Sequence, residues 1–158
     1  MIDAARSSDD LLFIQIGGTI DKDYPAVATN HGYEFEIGAP AYRSVLARVK
    51  FPAGWAENTL MQMDSLDMQD AHRAEVRAAV AAASQSRIII THGTDTIGQT
   101  AAALAGVADK TIVLTGAMLP EKFRDSDADF NLGMAIAAAR LSPSGVYIAL
   151  SGTVTPAA

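Results

Sequence analysis

Short apolar runs alternate with helical patterns along the chain, and each run stops abruptly in small or polar residues. The clearest run, Ile88 to Ile90, leads into Thr91-His92-Gly93-Thr94-Asp95-Thr96 and then into an alanine-rich helical pattern. A continuous β-branched run is typical of a strand buried on both faces. A second run, 11–16, ends in Gly17-Gly18-Thr19. Because open α/β sheets bind ligands at the carboxyl ends of their strands, these two junctions are the first candidates for a site.

The periodicity predicts about five main strands and four helices. The strands are predicted over 11–16, 59–63, 88–91, 111–115 and 146–151, and the helices over 40–49, 67–83, 97–107 and 129–141. This alternation predicts a three-layer, flavodoxin-like α/β fold with a mostly parallel sheet and helices on both faces. Residues 21–39 lack periodicity and are predicted as a long loop with a hairpin over 33–37. One domain is expected over 1–158, with its core at 10–151 and a frayed tail at 152–158.

Composition and charge narrow the function classes. A length of 158 residues suits one domain with its own core. The formal net charge of −6 argues against a nucleic-acid partner. Cysteine is absent, which excludes a thiol nucleophile and a thiolate metal site. Residues 1–10 lack the apolar region of a secretory signal and no apolar stretch approaches membrane-spanning length, so we expect a soluble, cytoplasmic protein without a membrane partner.

The Gly17-Gly18-Thr19 junction suits a hydroxyl nucleophile. Glycines after a strand allow a sharp turn that leaves Thr19 exposed at the strand mouth, and backbone N–H groups around Gly18 can stabilise an oxyanion. A plain turn or a weak phosphate-binding loop accounts for the same residues, because short glycine motifs often occur by chance.

The Thr94-Asp95 junction suits binding of a charged ligand. A residue that opens a helix offers its N–H and hydroxyl to an anion or a water, and an adjacent carboxylate binds an ammonium group. Helix capping by Thr94, Asp95 or Thr96 is the alternative explanation. Capping accounts for one of these three residues rather than for all of them.

Four motifs together resemble the N-terminal domain of the bacterial L-asparaginase/glutaminase family. They occur in the family order over nearly the whole chain: Gly17-Gly18-Thr19-Ile20, Thr91 to Thr96, Thr115-Gly116-Ala117-Met118-Leu119-Pro120, and Ser126-Asp127 to Asn131-Leu132. The resemblance implies a cofactor-free amidohydrolase that forms an acyl-enzyme on a threonine and releases ammonia from L-asparagine. Thr19 is similar to the family's nucleophile, and Thr94 to its second catalytic threonine.

The resemblance also implies how the amino-acid end of the substrate is held. Asp95 is similar to the residue that binds the α-ammonium group, and Ser65, next to Asp64, to the serine that binds the α-carboxylate. A zwitterion needs a carboxylate at one end and hydroxyl or N–H donors at the other. The family's activating tyrosine has two candidates, Tyr24 and Tyr33, and an aromatic ring packed on the sheet edge is the alternative reading of each.

Three departures from the family pattern are visible. The lysine that pairs with the second threonine has no counterpart in 152–158, and Lys122 is the nearest substitute, although a solvated loop charge is the more common role. The family's C-terminal domain is absent, so the chain is either a naturally short relative or a truncated one. Leu66 replaces a glutamine, which predicts poor use of L-glutamine. Because the longer enzymes assemble sites across subunits, a homo-oligomer is expected.

The missing lysine leaves a rival function open, a catalytically impaired amino-acid-binding domain. A nucleotide-binding module is a third possibility. The scattered histidines and the alternating Asp125, Asp127 and Asp129 do not form a recognisable metal motif, so no metal is expected. His92 is predicted to be a structural hydrogen-bonding residue, and Asp127 and Asn131 to brace the site loop.

Overall fold

The computed structural model describes residues 10–25, 27 and 34–157. The strands are β1 Leu11–Gly17, β2 Lys22–Asp23, β3 Glu36–Ile37, β4 Ala56–Met63, β5 Arg87–Thr91, β6 Thr111–Thr115, β7 Gly145–Leu150 and β8 Thr153–Pro156. The helices are α1 Ala41–Arg48, α2 Asp70–Ala82, α3 Ile97–Ala103 and α4 Ala128–Leu141. All five predicted main strands and all four predicted helices are present. No helix among these residues is long and apolar enough to cross a lipid bilayer.

The main sheet has six strands in the order β4-β1-β5-β6-β7-β8. The strands β4, β1, β5, β6 and β7 run parallel, and β8 runs antiparallel to β7. The chain leaves β1 towards β4 on one side and later returns to β5 on the other side. This reversal is the topological switch point of a flavodoxin-like sheet, where the carboxyl ends of β1 and β5 border a crevice.

Alternate residues of β1 face the two helical layers. Leu12, Ile14 and Ile16 belong to a buried cluster with residues of α2 and α3. Leu11 and Phe13 belong to a second buried cluster with residues of α1 and α4. The central strand is therefore covered on both faces, which explains its uninterrupted apolar sequence.

The prediction of a frayed tail at 152–158 is wrong, because residues 153–156 form β8. Ser151 and Gly152 have φ angles of 50° and 86°, and Leu150 pairs directly with Thr153. Positive φ at both central residues is the property of the two-residue turn that suits the twist of a β-hairpin. The sheet therefore has six strands rather than about five.

The long loop after β1 contains a small antiparallel arm. Lys22 pairs with Ile37 and Asp23 with Glu36, so the arm joins the start of the loop to its end rather than forming the local hairpin predicted over 33–37. The side-chain amide of Gln15 donates to the carbonyl of Gly38 at 2.9 Å, which ties the base of the arm to β1.

Candidate active site

The loops after β1 and β5 touch backbone to backbone at the switch point. A Cβ atom on Gly18 would overlap the backbone of Gly93, so the two loops pack this closely only because residue 18 is a glycine. Gly18 also has a φ angle of 88°, which L side chains rarely adopt. Thr19 directly follows one glycine of this pair and Thr94 follows the other. The two threonines therefore flank one contact.

A third loop, after β4, reaches the same place. A Cβ atom on Gly93 would lie 2.5 Å from the Oγ of Ser65. Ser65 begins a short 3-10 turn, Ser65–Asp67, and the Asp64 carboxylate accepts a hydrogen bond from the Leu66 N–H at 3.1 Å within it. The Thr96 hydroxyl donates to the carbonyl oxygen of Ser65 at 2.8 Å, which fastens this turn to the loop after β5.

The exposure of the candidate residues differs in a way that suits ligand binding. Thr19 and Thr94 are half-buried, and Asp95 is exposed. Ser65 is 1% exposed, and its Oγ makes no hydrogen bond with any described residue. A buried hydroxyl without a partner costs about 1–3 kcal/mol. This unsatisfied hydroxyl marks the contact of the three loops as a place for a polar ligand.

His92 forms two hydrogen bonds that connect the loop after β5 to α3, as expected of a structural residue. Its Nδ1 lies 2.7 Å from the carbonyl oxygen of Gly93, and its Nε2 lies 2.7 Å from the Thr100 hydroxyl. Because a carbonyl only accepts, Nδ1 carries the proton and Nε2 accepts from Thr100. Burial, reinforced by the charge of Arg73, lowers the pKa of His92 below its ordinary value. The imidazole is therefore a neutral structural element rather than an acid or base.

Helix capping does not explain the polar residues in front of α3. Thr96 occupies the N-cap position but makes no capping hydrogen bond, because its hydroxyl is directed to Ser65 instead. The capping interpretation of Thr96 is therefore wrong. Its hydroxyl joins two of the three loops.

Asp21 is a buried carboxylate beneath Thr19 that the sequence did not single out. It is 3% exposed, and its Oδ1 accepts from the Ala41 N–H at 2.7 Å at the start of α1. The Thr91 hydroxyl lies 3.5 Å from Oδ2, a long contact. Burial raises the pKa of Asp21 to about 6, against the lowering effect of these hydrogen bonds. No local motif signals this residue, because its partners are distant in sequence.

Lys22 is the second residue that sequence reasoning missed. Its Nζ lies 3.2 Å from the Oδ2 of Asp64, so an ion pair connects the loop after β1 to the loop after β4. The hydrogen bond from Leu66, then the contact with Lys22, keep the pKa of Asp64 below its usual value although burial opposes them. Asp64 is therefore a charged residue that holds Lys22 against the loop after β4.

The structure describes only one of the two candidates for the activating tyrosine. Tyr33 lies outside the described residues. Tyr24 is 57% exposed, and its ring lies 5.2 Å from that of Phe35, which in turn lies 5.6 Å from that of Phe123. The Tyr24 ring thus packs against another aromatic ring, which is the alternative role that the sequence suggested for this tyrosine. The assignment of the activating tyrosine stays a prediction for both.

Lys122, the nearest substitute for the missing lysine, makes an ion pair with Asp23. Its Nζ lies 3.4 Å from the Oδ2 of Asp23, and its side chain is 54% exposed. The residue is an exposed, ion-paired loop charge, as its more common role suggests.

The loop after β6 is braced as predicted. Asp127 accepts from the N–H groups of Met118 at 3.0 Å and Leu119 at 3.1 Å. Buried Asn131 donates to the carbonyl of Gly116 at 3.0 Å and to Asp127 at 2.9 Å. Burial raises the pKa of Asp127, but the backbone donors outweigh this effect, so its pKa lies below the ordinary value.

No group of three or more histidine, cysteine, aspartate or glutamate residues within the described part of the chain is arranged to hold a metal ion.

A family model described as "Asparaginase, N-terminal" matches residues 10–158. The chain belongs to the asparaginase family. This asparaginase-family chain is 34% identical over 146 residues to the L-asparaginase of Thermococcus kodakarensis, with 88% of this chain and 43% of that protein covered. It is 32% identical over 147 residues to one of the subunits of the glutamyl-tRNA(Gln) amidotransferase of Pyrococcus horikoshii, covering 87% of this chain and 32% of that one.

Solved structures of family members have the same fold. The T. kodakarensis L-asparaginase matches with a TM-score of 0.74 at 30% identity, covering 93% of this chain and 45% of that chain. A Campylobacter jejuni protein described as a probable cytoplasmic L-asparaginase matches with a TM-score of 0.73 at 25% identity, covering 93% and 47%. The asparaginase-family chain therefore spans less than half the length of these relatives.

Proposed function

We propose that the chain is a threonine-dependent amidohydrolase that converts L-asparagine to L-aspartate and ammonia. The observation that carries the proposal is the contact of Gly18, Gly93 and Ser65, which groups three hydroxyl residues at the switch point of the sheet. Enzymes of this kind need a nucleophile, a second polar group and a binding site for the zwitterionic end held together.

The chemistry would proceed in two steps. The Oγ of Thr19 attacks the side-chain amide carbon, the hydroxyl proton passes to the departing amine, and the C–N bond breaks to release ammonia. Backbone N–H groups around Gly18 would stabilise the oxyanion that develops on the amide oxygen. A water molecule, positioned by Thr94, then attacks the acyl ester, which regenerates Thr19 and releases L-aspartate. Tyr24 and Tyr33 are both retained as candidates for activating Thr19.

The amino-acid end would bind across the loops after β4 and β5. Asp95 is exposed and makes no ion pair with a described residue, so its carboxylate is available to an ammonium group. The buried Ser65 hydroxyl would gain a partner by donating to the α-carboxylate. Leu66 is 71% exposed where the family pattern has a glutamine, which favours asparagine over glutamine.

One observation favours the rival, an amino-acid-binding domain without efficient turnover. Lys122, the nearest substitute for the family lysine, is ion-paired with Asp23. A second step that lacked a base or cation at Thr94 would be slow. This rival shares the binding residues of the enzyme and differs only in rate.

Ammonia release separates the two functions. The purified chain is incubated with L-asparagine, L-glutamine or no substrate, and the binding of L-aspartate is measured by titration calorimetry on the same sample. The enzyme reading predicts ammonia release that is faster with asparagine than with glutamine and is lost in Thr94→Val. Binding of L-aspartate without ammonia release would establish the rival. Assembly as a homo-oligomer and the cytoplasmic location are further proposals, tested by light scattering and by cell fractionation.

A further inference from the structure

The three loops of the candidate site carry an unbalanced set of charges. The segments 17–24, 63–68 and 92–97 are all described, and they contain a single lysine or arginine, Lys22. The same segments contain five aspartates: Asp21, Asp23, Asp64, Asp67 and Asp95. Such a site attracts an ammonium group but repels a carboxylate, so a zwitterionic ligand needs one cation at its other end.

Lys22 lies against the loop that carries Ser65. Its Nζ is 3.2 Å from the carboxylate of Asp64, whose chain neighbour is the unpartnered Ser65. The Lys22 side chain is 28% exposed and borders an open cleft of about 480 Å³, together with Gln62, Met63 and Asp64. The ammonium group is thus both fixed in position and accessible from solvent.

We propose that Lys22 is a substrate-binding residue that pairs with the α-carboxylate of the amino-acid substrate beside Ser65. This role rests on the proposed function and extends it to a residue outside the motifs that carry the resemblance. An ammonium group has three donors, and Asp64 takes one of them, so donors remain for a ligand. Asp64 acts as the positioning residue that keeps the Lys22 side chain against the loop after β4.

A purely structural role for the ion pair makes different predictions. If Lys22 only clamped two loops together, removing either partner would disturb the site equally and would affect every substrate. If Lys22 binds the carboxylate, its loss affects only ligands that carry this group. In that case Asp64→Asn keeps the positive charge but loosens its position, so the variant impairs asparagine binding less than the loss of Lys22 does and leaves an amide without the carboxylate unaffected.

The variants Lys22→Met, Lys22→Arg and Asp64→Asn are compared in the full chain, with Lys50→Met as the control. Lys50 is an exposed lysine in the turn after α1, so its removal changes the net charge by the same amount outside the site. The substrates are L-asparagine and 3-aminopropanamide, which retains the amine and the amide but lacks the α-carboxylate.

For Lys22→Met we expect the KM for asparagine to rise about 10-fold or more while kcat changes less than about threefold, because a charge-assisted bond to the ligand is lost. Lys22→Arg should recover part of the affinity. Asp64→Asn should raise the KM for asparagine by less than Lys22→Met does, because the cation stays but its carboxylate partner is lost. Lys50→Met should stay within about threefold of the wild-type KM, and Lys22→Met should hydrolyse 3-aminopropanamide as the wild type does. An unchanged KM in Lys22→Met, or an equal effect of Asp64→Asn on both amides, would overturn the role of Lys22 alone. A wild-type chain that neither releases ammonia nor binds L-aspartate would overturn the proposed function, and the role of Lys22 with it.

Discussion

The carboxylate of Asp21 accepts a hydrogen bond from the N–H of Ala41 at 2.7 Å, and this bond ties the turn that holds Thr19 to the first residue of α1. The backbone N–H of Asp21 also donates to the carbonyl oxygen of Gly18 at 3.1 Å, and the carbonyl oxygen of Asp21 accepts from the N–H of Gly38 at 2.8 Å. One buried residue thus fixes the position of the loop that carries Thr19 relative to the arm and to α1. Because the Asp21 carboxyl is buried, its contribution to the free energy of unfolding depends on pH.

We predict that Asp21→Asn removes a pH-dependent loss of stability. Burial raises the pKa of Asp21 from 3.8 in the unfolded chain to about 6 in the fold, so the folded state binds the extra proton between these values. The free energy of unfolding of the wild type should therefore fall, relative to that of the variant, by about 2 kcal/mol as the pH rises from 4 to above 6. Asparagine keeps an acceptor for the Ala41 N–H.

Urea unfolding of both proteins between pH 4 and pH 8 measures this difference, and the contributions of the other titrating groups cancel in it. Curves that stay parallel across the whole range would show that the Asp21 carboxyl titrates as in the unfolded chain.

Gly93→Ala tests the contact of the three loops. The new Cβ would meet the Oγ of Ser65 at 2.5 Å and its Cβ at 2.6 Å, so the loops must separate. We expect a loss of about 1–3 kcal/mol in the free energy of unfolding and a larger relative loss of asparagine hydrolysis. The matched control is Gly133→Ala in α4, where a Cβ meets nothing within 4 Å. That variant should gain about 0.5–1 kcal/mol, because alanine is the better helix former. Equal effects of the two substitutions would contradict the close contact.

Asp127→Asn tests the brace of the loop after β6. The carboxylate accepts from two backbone N–H groups and from Asn131, and an amide accepts less strongly and presents an unwanted donor. We expect a loss of about 1–3 kcal/mol in the free energy of unfolding. Asp129→Asn, two residues away, removes an exposed ion pair with Arg48 and an acidic residue from the first turn of α4, and should cost no more than about 1 kcal/mol. If Asp127→Asn and Asp129→Asn unfold at the same urea concentration, Asp127 does not brace this loop.

The sequence predicts those parts of the molecule that depend on local pattern. The strand that ends before Thr19 and the strand that ends before Thr94 are continuous apolar runs with glycines behind them, so the pattern alone locates both junctions. Their meeting follows from the parallel sheet, which brings the carboxyl ends of neighbouring strands to one edge. The bracing role of Asp127 and Asn131 is predictable for the same reason, since both lie in one motif.

The features that were missed depend on contacts between distant residues. Lys22 meets Asp64 and Gln15 meets Gly38 only because the arm folds back onto β1, and residues 21–39 show no periodicity that would reveal it. Strand β8 was missed because Ser151-Gly152 is a less distinctive turn sequence than Asn-Gly. A buried carboxylate such as Asp21 is equally hidden, because its burial is a property of the fold.

The central claim is that Thr19 is the nucleophile, and ammonia release by Thr19→Ala tests it most directly. Wild type, Thr19→Ala, Thr19→Ser and Thr59→Ala are assayed with L-asparagine at equal concentrations of folded protein; Thr59 is an exposed threonine of β4 and serves as the control. We predict that Thr19→Ala lowers kcat by about 10³-fold or more, that Thr19→Ser retains part of the activity through its hydroxyl, and that Thr59→Ala matches the wild type. A folded Thr19→Ala variant that releases ammonia at the wild-type rate would contradict the assignment of Thr19 as the nucleophile.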